Sequence, residues 1–177
     1  VEWTAATENI EAIEAPRVGA QTLADGVIQF EAIHAQKPLG ARGVALAAQL
    51  NGWRSLLRRL GVIGREAGRY GGVGFGNVSV RCPPWQGGQG ERAFGISGTQ
   101  TGHLAWLAAS DVCVVSRWDA AQNRVWSEGE ALPSSESMSH GTLYDADEAL
   151  RCVLHVHCPT LWRAGPALGL AVSDPRV

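Results

Sequence analysis

Between Gly43 and Leu60 the apolar residues Leu46, Leu50, Trp53, Leu57 and Leu60 recur at steps of three and four, the spacing that lines one face of an α-helix. Gly61 follows directly and suits a helix stop. The apolar segments beyond it, NVSVR, AFGIS, DVCVVSRWD and RCVLHVH, are short and strand-like. A long helix that must bury one face thus stands beside several short strands.

The 177-residue chain suits one domain. Residues 1–25, rich in Ala, Glu and Thr and interrupted by Pro16 and Gly19, carry no sustained pattern and read as an N-terminal extension. The domain proper is expected over residues 26–177, starting near DGVIQFEAIH. Hydrophobic residues make up 45% and charged residues 18%, as in ordinary globular chains, and no apolar run is long enough to span a bilayer. No membrane role is expected.

A formal net charge of -2 without a basic cluster argues against nucleic acid as a partner, and the pair Arg58–Arg59 reads as a solvated helix face. The four cysteines, Cys82, Cys113, Cys152 and Cys158, show no Cys-x-x-Cys spacing. Free thiols in a reducing compartment are expected, and with no signal peptide in view the cytoplasm is the expected location.

Lys37 is the only lysine, and AQKPLGARG around it reads as an exposed loop. Schiff-base activation of a carbonyl needs an active-site lysine amine, so a metal is the more plausible electrophile for carbonyl chemistry. The glycines of GRYGGVGFGNVSVR do not match Gly-x-Gly-x-x-Gly and lead into a strand rather than a helix, which removes a dinucleotide site. In SGTQTGHL, backbone amides could cradle an anion, but on this segment alone a simple turn with a helix cap is the favoured reading, and a helical stretch through Leu104, Leu107 and Ala108 is expected to follow.

The run RCVLHVHCPTLW sets His155 and His157 two residues apart, which in a strand puts both imidazoles on one face. That is compatible with half a metal site and with two histidines held by backbone hydrogen bonds. Upstream, PSSESMSHGTLYD reads as a helix entered through Pro133, with Glu136 and His140 one turn apart. Leu143 and Tyr144 extend that stripe toward the core, so His140 reads as a core histidine bonded to a neighbour. The connection DADEAL is short enough to bring Glu136 near His155 and His157.

In order along the chain, GNVSVR, ISGTQTGHL, PSSESMSHGTLY and VLHVH resemble the class II aldolase/adducin family over roughly residues 26–162. The resemblance implies a three-layer α/β/α sandwich around a central, largely antiparallel sheet, assembled as a homo-oligomer, commonly a tetramer. Matched residue by residue, it implies that His155 and His157 bind a divalent metal and that Glu136 is the acid/base and can approach the metal. Gly76, Asn77, Thr99, Gln100, Ser134 and Ser135 match the substrate pocket. Zn2+ is the expected ion, with Mn2+, Co2+ or Fe2+ as alternatives.

The reaction implied is aldol cleavage or formation of a C–C bond in a small hydroxy-carbonyl substrate, through a metal-stabilised enediolate. Epimerisation or decarboxylation by the same chemistry, or an adducin-like assembly domain without catalysis, are the alternatives. Gln100 stands where sugar-phosphate aldolases tend to carry glycine, and Gly74 where a hydroxyl residue helps hold phosphate. The family's third metal-ligating histidine has no counterpart, because no histidine follows His157. Completion by His140 or Glu136, completion by chain beyond residue 177, or a weakly bound or absent metal are the corresponding expectations.

Overall fold

The computed structural model describes residues 28–171. The expected N-terminal extension over residues 1–25 lies outside them. Among the described residues six strands form one sheet, in the order β1-β7-β6-β5-β4-β8. These are β1 (Glu31–Gln36), β4 (Asn77–Arg81), β5 (Phe94–Ser97), β6 (Val112–Asp119), β7 (Arg124–Gly129) and β8 (Cys152–His155). Only β1 and β7 pair in parallel; every other neighbour is antiparallel. A separate ribbon joins β2 (Gly64–Arg65) to β3 (Gly74–Phe75).

The long helix, α1 (Gly40–Arg59), ends as the sequence predicts. Gly61 takes φ +67, its N–H reaches Arg58 O at 2.9 Å, and the Val62 N–H reaches Leu57 O at 3.1 Å. This pair of bonds is a Schellman motif, which glycine enters without steric cost. Two expected members of its apolar stripe lie outside the core: Trp53 is 42% exposed and Leu60 64%. The buried face runs instead through Gly43, Leu46, Ala47, Leu50, Asn51, Arg54 and Leu57.

Alternation along the strands divides the core in two. Val78 and Val80 of β4 and Val112 and Val114 of β6 pack with Leu46, Leu50 and Leu57 of α1. Cys113 and Val115 of β6, with Phe94 and Ile96 of β5, pack with Tyr144 of α2 (Ser137–Ala146). The two helices therefore cover alternate strand residues, which point to opposite faces. Glycines set both approaches. A Cβ on Gly95 would lie 2.7 Å from Leu46 Cδ2, and one on Gly141 would lie 2.6 Å from the Trp118 ring.

The segment AAQNRVWSEGEAL, hairpin-like by sequence, closes the β6–β7 turn and then supplies β7 to the interior of the sheet. The short helix expected through Leu104, Leu107 and Ala108 is absent from this region. Two 3-10 turns, Thr101–His103 and Ala109–Asp111, flank an irregular stretch there. The cause is Asn51 of α1, whose amide donates to Leu107 O and accepts from Leu107 N–H, each at 2.9 Å. Those two bonds satisfy the Leu107 backbone in place of helical ones.

Candidate functional site

Four separate segments meet at the β4–β8 edge of the sheet around a cavity of about 160 Å³. Gly76 and Asn77 come from the entry to β4, Thr99 and Gln100 from the loop after β5, Ser134, Ser135 and Glu136 from the entry to α2, and His155 and His157 from β8 and its exit. All of them line the cavity. The sequence-predicted site residues thus converge in space although they span residues 76–157.

Register explains the first contact. Asn77 and His155 are paired across β4 and β8, and Asn77 Nδ2 stands 3.3 Å from His155 Nδ1 and 3.0 Å from Ser134 Oγ. Gly76 makes this close approach possible. It has φ +73, and a Cβ there would lie 2.5 Å from Ile63 Cγ2 and 2.9 Å from His155 O. The strand expected to run through His157 ends at His155. Even so, the two imidazole centroids are 4.9 Å apart, and the His157 N–H is fixed by Val62 O at 2.8 Å.

Around His157 stand two aromatic residues that the sequence reading missed. Tyr70 meets it edge-on at a centroid distance of 4.5 Å, and Phe75 lies at 5.5 Å. Both also line the cavity. Tyr70 is a non-glycine residue at φ +49, a conformation uncommon enough to mark a constrained loop. No spacing rule ties Tyr70 to His157, because the contact depends on how the β2–β3 ribbon folds back.

Glu136 sits immediately before α2 and is half-buried. Its carboxylate accepts a hydrogen bond from the Ser139 hydroxyl at 3.3 Å. One turn on, His140 points away from the cavity, as expected of a core histidine. Its Nδ1 lies 2.7 Å from Ser79 Oγ, and Ser79 Oγ lies 2.8 Å from Tyr144 Oη. Burial, with a smaller contribution from nearby His155, pushes the His140 pKa down to about 3. Burial likewise pushes the Tyr144 phenol up. Leu143, expected on the inward stripe, is 47% exposed because the stripe turns through Gly141 and Tyr144 instead.

The loop from Gly98 to Leu104 is held from below by α1. Arg54 Nη2 donates to Thr101 O at 3.1 Å and Leu104 O at 2.8 Å, and Arg58 Nη1 donates to Gly102 O at 2.6 Å. Arg58 was expected on a solvated face; it is half-buried and ties down a cavity wall instead. The only sequence signal for Arg54 is its place four residues after Leu50 and three before Leu57, inside the helical stripe. Burial lowers its pKa to about 10, with Arg58 adding repulsion and the Asp111 carboxylate offsetting part of it.

Gly74 has a physical reason for lacking a hydroxyl side chain. Any Cβ there would lie 3.1 Å from Gly102 N, and one on Gly102 would lie 2.5 Å from Gly64 O. The ribbon and the loop meet backbone to backbone, leaving no room. Gln100 occupies the loop tip at φ +60, in the left-handed region.

Chemically, the cavity offers two neighbouring imidazoles, one carboxylate, and hydroxyl and amide groups. Among the described residues no group of three or more His, Cys, Asp or Glu stands close enough together to hold a metal ion. Two nitrogen donors are present side by side, which is the beginning of a transition-metal site rather than the whole of one. Comparison with protein families matches residues 58–163 to the Class II Aldolase and Adducin N-terminal domain. No curated protein and no solved structure matches the chain.

Proposed function

From the premise that this chain belongs to the class II aldolase/adducin family, we propose that it is a divalent-metal lyase cleaving or forming a C–C bond in a small hydroxy-carbonyl substrate. The observation that carries this reading is the convergence of His155, His157 and Glu136 on one cavity. His155 and His157 would hold the ion, Zn2+ first, with the third ligand supplied from outside the described residues. Bound there, the ion would polarise the hydroxy-carbonyl oxygens of the substrate.

Glu136 serves as acid/base, moving the proton between substrate carbon or oxygen and its own carboxylate. The Ser139 hydroxyl steadies one carboxylate oxygen in this role. Ser134 and Ser135 offer hydroxyls, Gly76 and Asn77 the strand entry, and Thr99 and Gln100 the opposite loop, for orienting a polyhydroxylated substrate. The three-layer α/β/α sandwich and a homo-oligomeric, family-like tetrameric assembly belong to the same reading. So does a cytoplasmic location, supported by four thiols that stand free.

Metal content per chain and aldehyde release from a panel of hydroxy-carbonyl compounds test the proposal. Near-stoichiometric divalent metal is expected in the wild type and not in the His155→Ala/His157→Ala variant. Glu136→Gln should keep most of the metal while losing about 10²-fold or more in turnover. The lack of a third ligand among the described residues favours one alternative, a non-catalytic adducin-like assembly domain. Absence of both metal and turnover in the wild type would select it.

A further inference from the structure

Asn77 is only 7% exposed, and its carboxamide is half satisfied. Nδ2 has two neighbours, Ser134 Oγ at 3.0 Å and His155 Nδ1 at 3.3 Å, whereas the buried Oδ1 has none. In this orientation Asn77 donates to Nδ1, which puts the proton of a neutral His155 on Nε2. A half-turn of the amide exchanges two groups of nearly equal size. Oδ1 would then accept from a His155 Nδ1–H and from the Ser134 hydroxyl, and Nε2 would carry a lone pair.

Ser134 accommodates both arrangements. Its Oγ already accepts from the Glu136 N–H at 3.3 Å, and its own hydroxyl proton can turn toward whichever Asn77 atom accepts. Either orientation leaves one end of the amide unsatisfied, so amide orientation and His155 tautomer change together. A ligand that needs a lone pair on Nε2, as a metal ion does, selects Oδ1 facing Nδ1–H. A ligand that accepts a proton from Nε2 selects the opposite orientation.

We propose that Asn77, besides lining the cavity, is a positioning residue that sets the tautomer of His155 through the orientation of its amide. The proposal rests on the reading that His155 is a metal ligand. It also makes a claim about the metal-free protein that stands apart from that reading: the group facing Nδ1 dictates where the imidazole proton sits.

Long-range proton–nitrogen NMR on histidine-labelled, metal-free protein at pH 8 reports the tautomer directly. Asn77→Asp presents only acceptor oxygens to Nδ1 and should fix the Nδ1–H form, and wild type should show Nε2–H. Zn2+ affinity is measured in parallel by competition with a chromophoric chelator. Asn77→Asp should bind at least as tightly as wild type, and Asn77→Leu should lose about 10- to 100-fold.

Nε2–H persisting in Asn77→Asp overturns the proposal, as does wild-type Zn2+ affinity in a folded Asn77→Leu. If Asn77→Leu does not fold, the near-isosteric Asn77→Asp still decides through the tautomer. Failure of wild type to bind Zn2+ would overturn the metal reading alone, because the tautomer comparison needs no metal.

Discussion

Ser79 is buried, and it joins His140 to Tyr144 on the α2 face of the sheet, where neither ring can reach water. The consequence is a pH dependence with a definite sign. In the unfolded chain His140 takes up a proton near pH 6.5; in the folded protein burial holds that event to about 3. The unfolded state therefore binds more protons between these values, and stability present above pH 6.5 is lost as pH falls toward 3. The slope for one such group approaches about 1.4 kcal/mol per pH unit. His34, also lowered by burial, adds in the same direction. Urea unfolding at pH 7.5, 6.5 and 5.5 should show a shallower decline in His140→Gln than in wild type, and parallel curves would remove His140 as the cause. Gly76 makes a second residue-level case. Its φ of +73 and the 2.5 Å approach to Ile63 Cγ2 predict that Gly76→Ala costs more than about 1 kcal/mol, read as a lower urea midpoint.

Helix α1 shows what was legible in the sequence and what was not. Its existence, its glycine stop and its Leu46, Leu50 and Leu57 contacts follow from spacing alone. Its partner on the buried face does not, since a stripe counted in apolar residues takes in Trp53 and passes over Arg54. The inversion arises because the loop after β5 presents bare carbonyls at that position, and a guanidinium can satisfy several while indole cannot. Arg54→Met should therefore cost about 1.5–3 kcal/mol, the range for charged hydrogen bonds, and Trp53→Gln should stay within about 0.5 kcal/mol. Amide exchange at Thr101–Leu104 should accelerate in Arg54→Met at unchanged rates elsewhere in the sheet; uniform acceleration would mean that Arg54 supports the whole core instead. For the candidate site, pattern alone singles out the paired histidines His155 and His157 and the carboxylate Glu136 one turn before His140; the remaining pocket residues come from the family resemblance, and Tyr70 reaches His157 from a ribbon whose path no local pattern encodes.

Across the whole molecule, each face of the sheet contains one fully enclosed thiol. Cys82 is 2% exposed on the α1 side, and Cys113, 0% exposed on the α2 side, is pushed up to about 12 by burial. Cys152, at the start of β8, and Cys158, beyond its end, are half-buried. Alkylation of native protein should modify Cys152 and Cys158 first, with Cys82 and Cys113 reacting only at the rate of global opening. Mass spectrometry of partly labelled protein checks this, and early labelling of Cys113 would mean that the α2 side opens by itself. Topology adds a matter of timing. Strand β1 pairs with β7, the ion pair Arg124–Glu31 closing a separation of 93 residues. At a synthesis rate of about 5–20 residues per second, β1 waits for roughly 5–20 s before its partner has been made. The cavity is completed later still, because β8 follows β7 along the chain. For a nascent chain, acquiring a ligand would thus be a sign that the entries to β4 and α2, the loop after β5 and the end of β8 had already found their places.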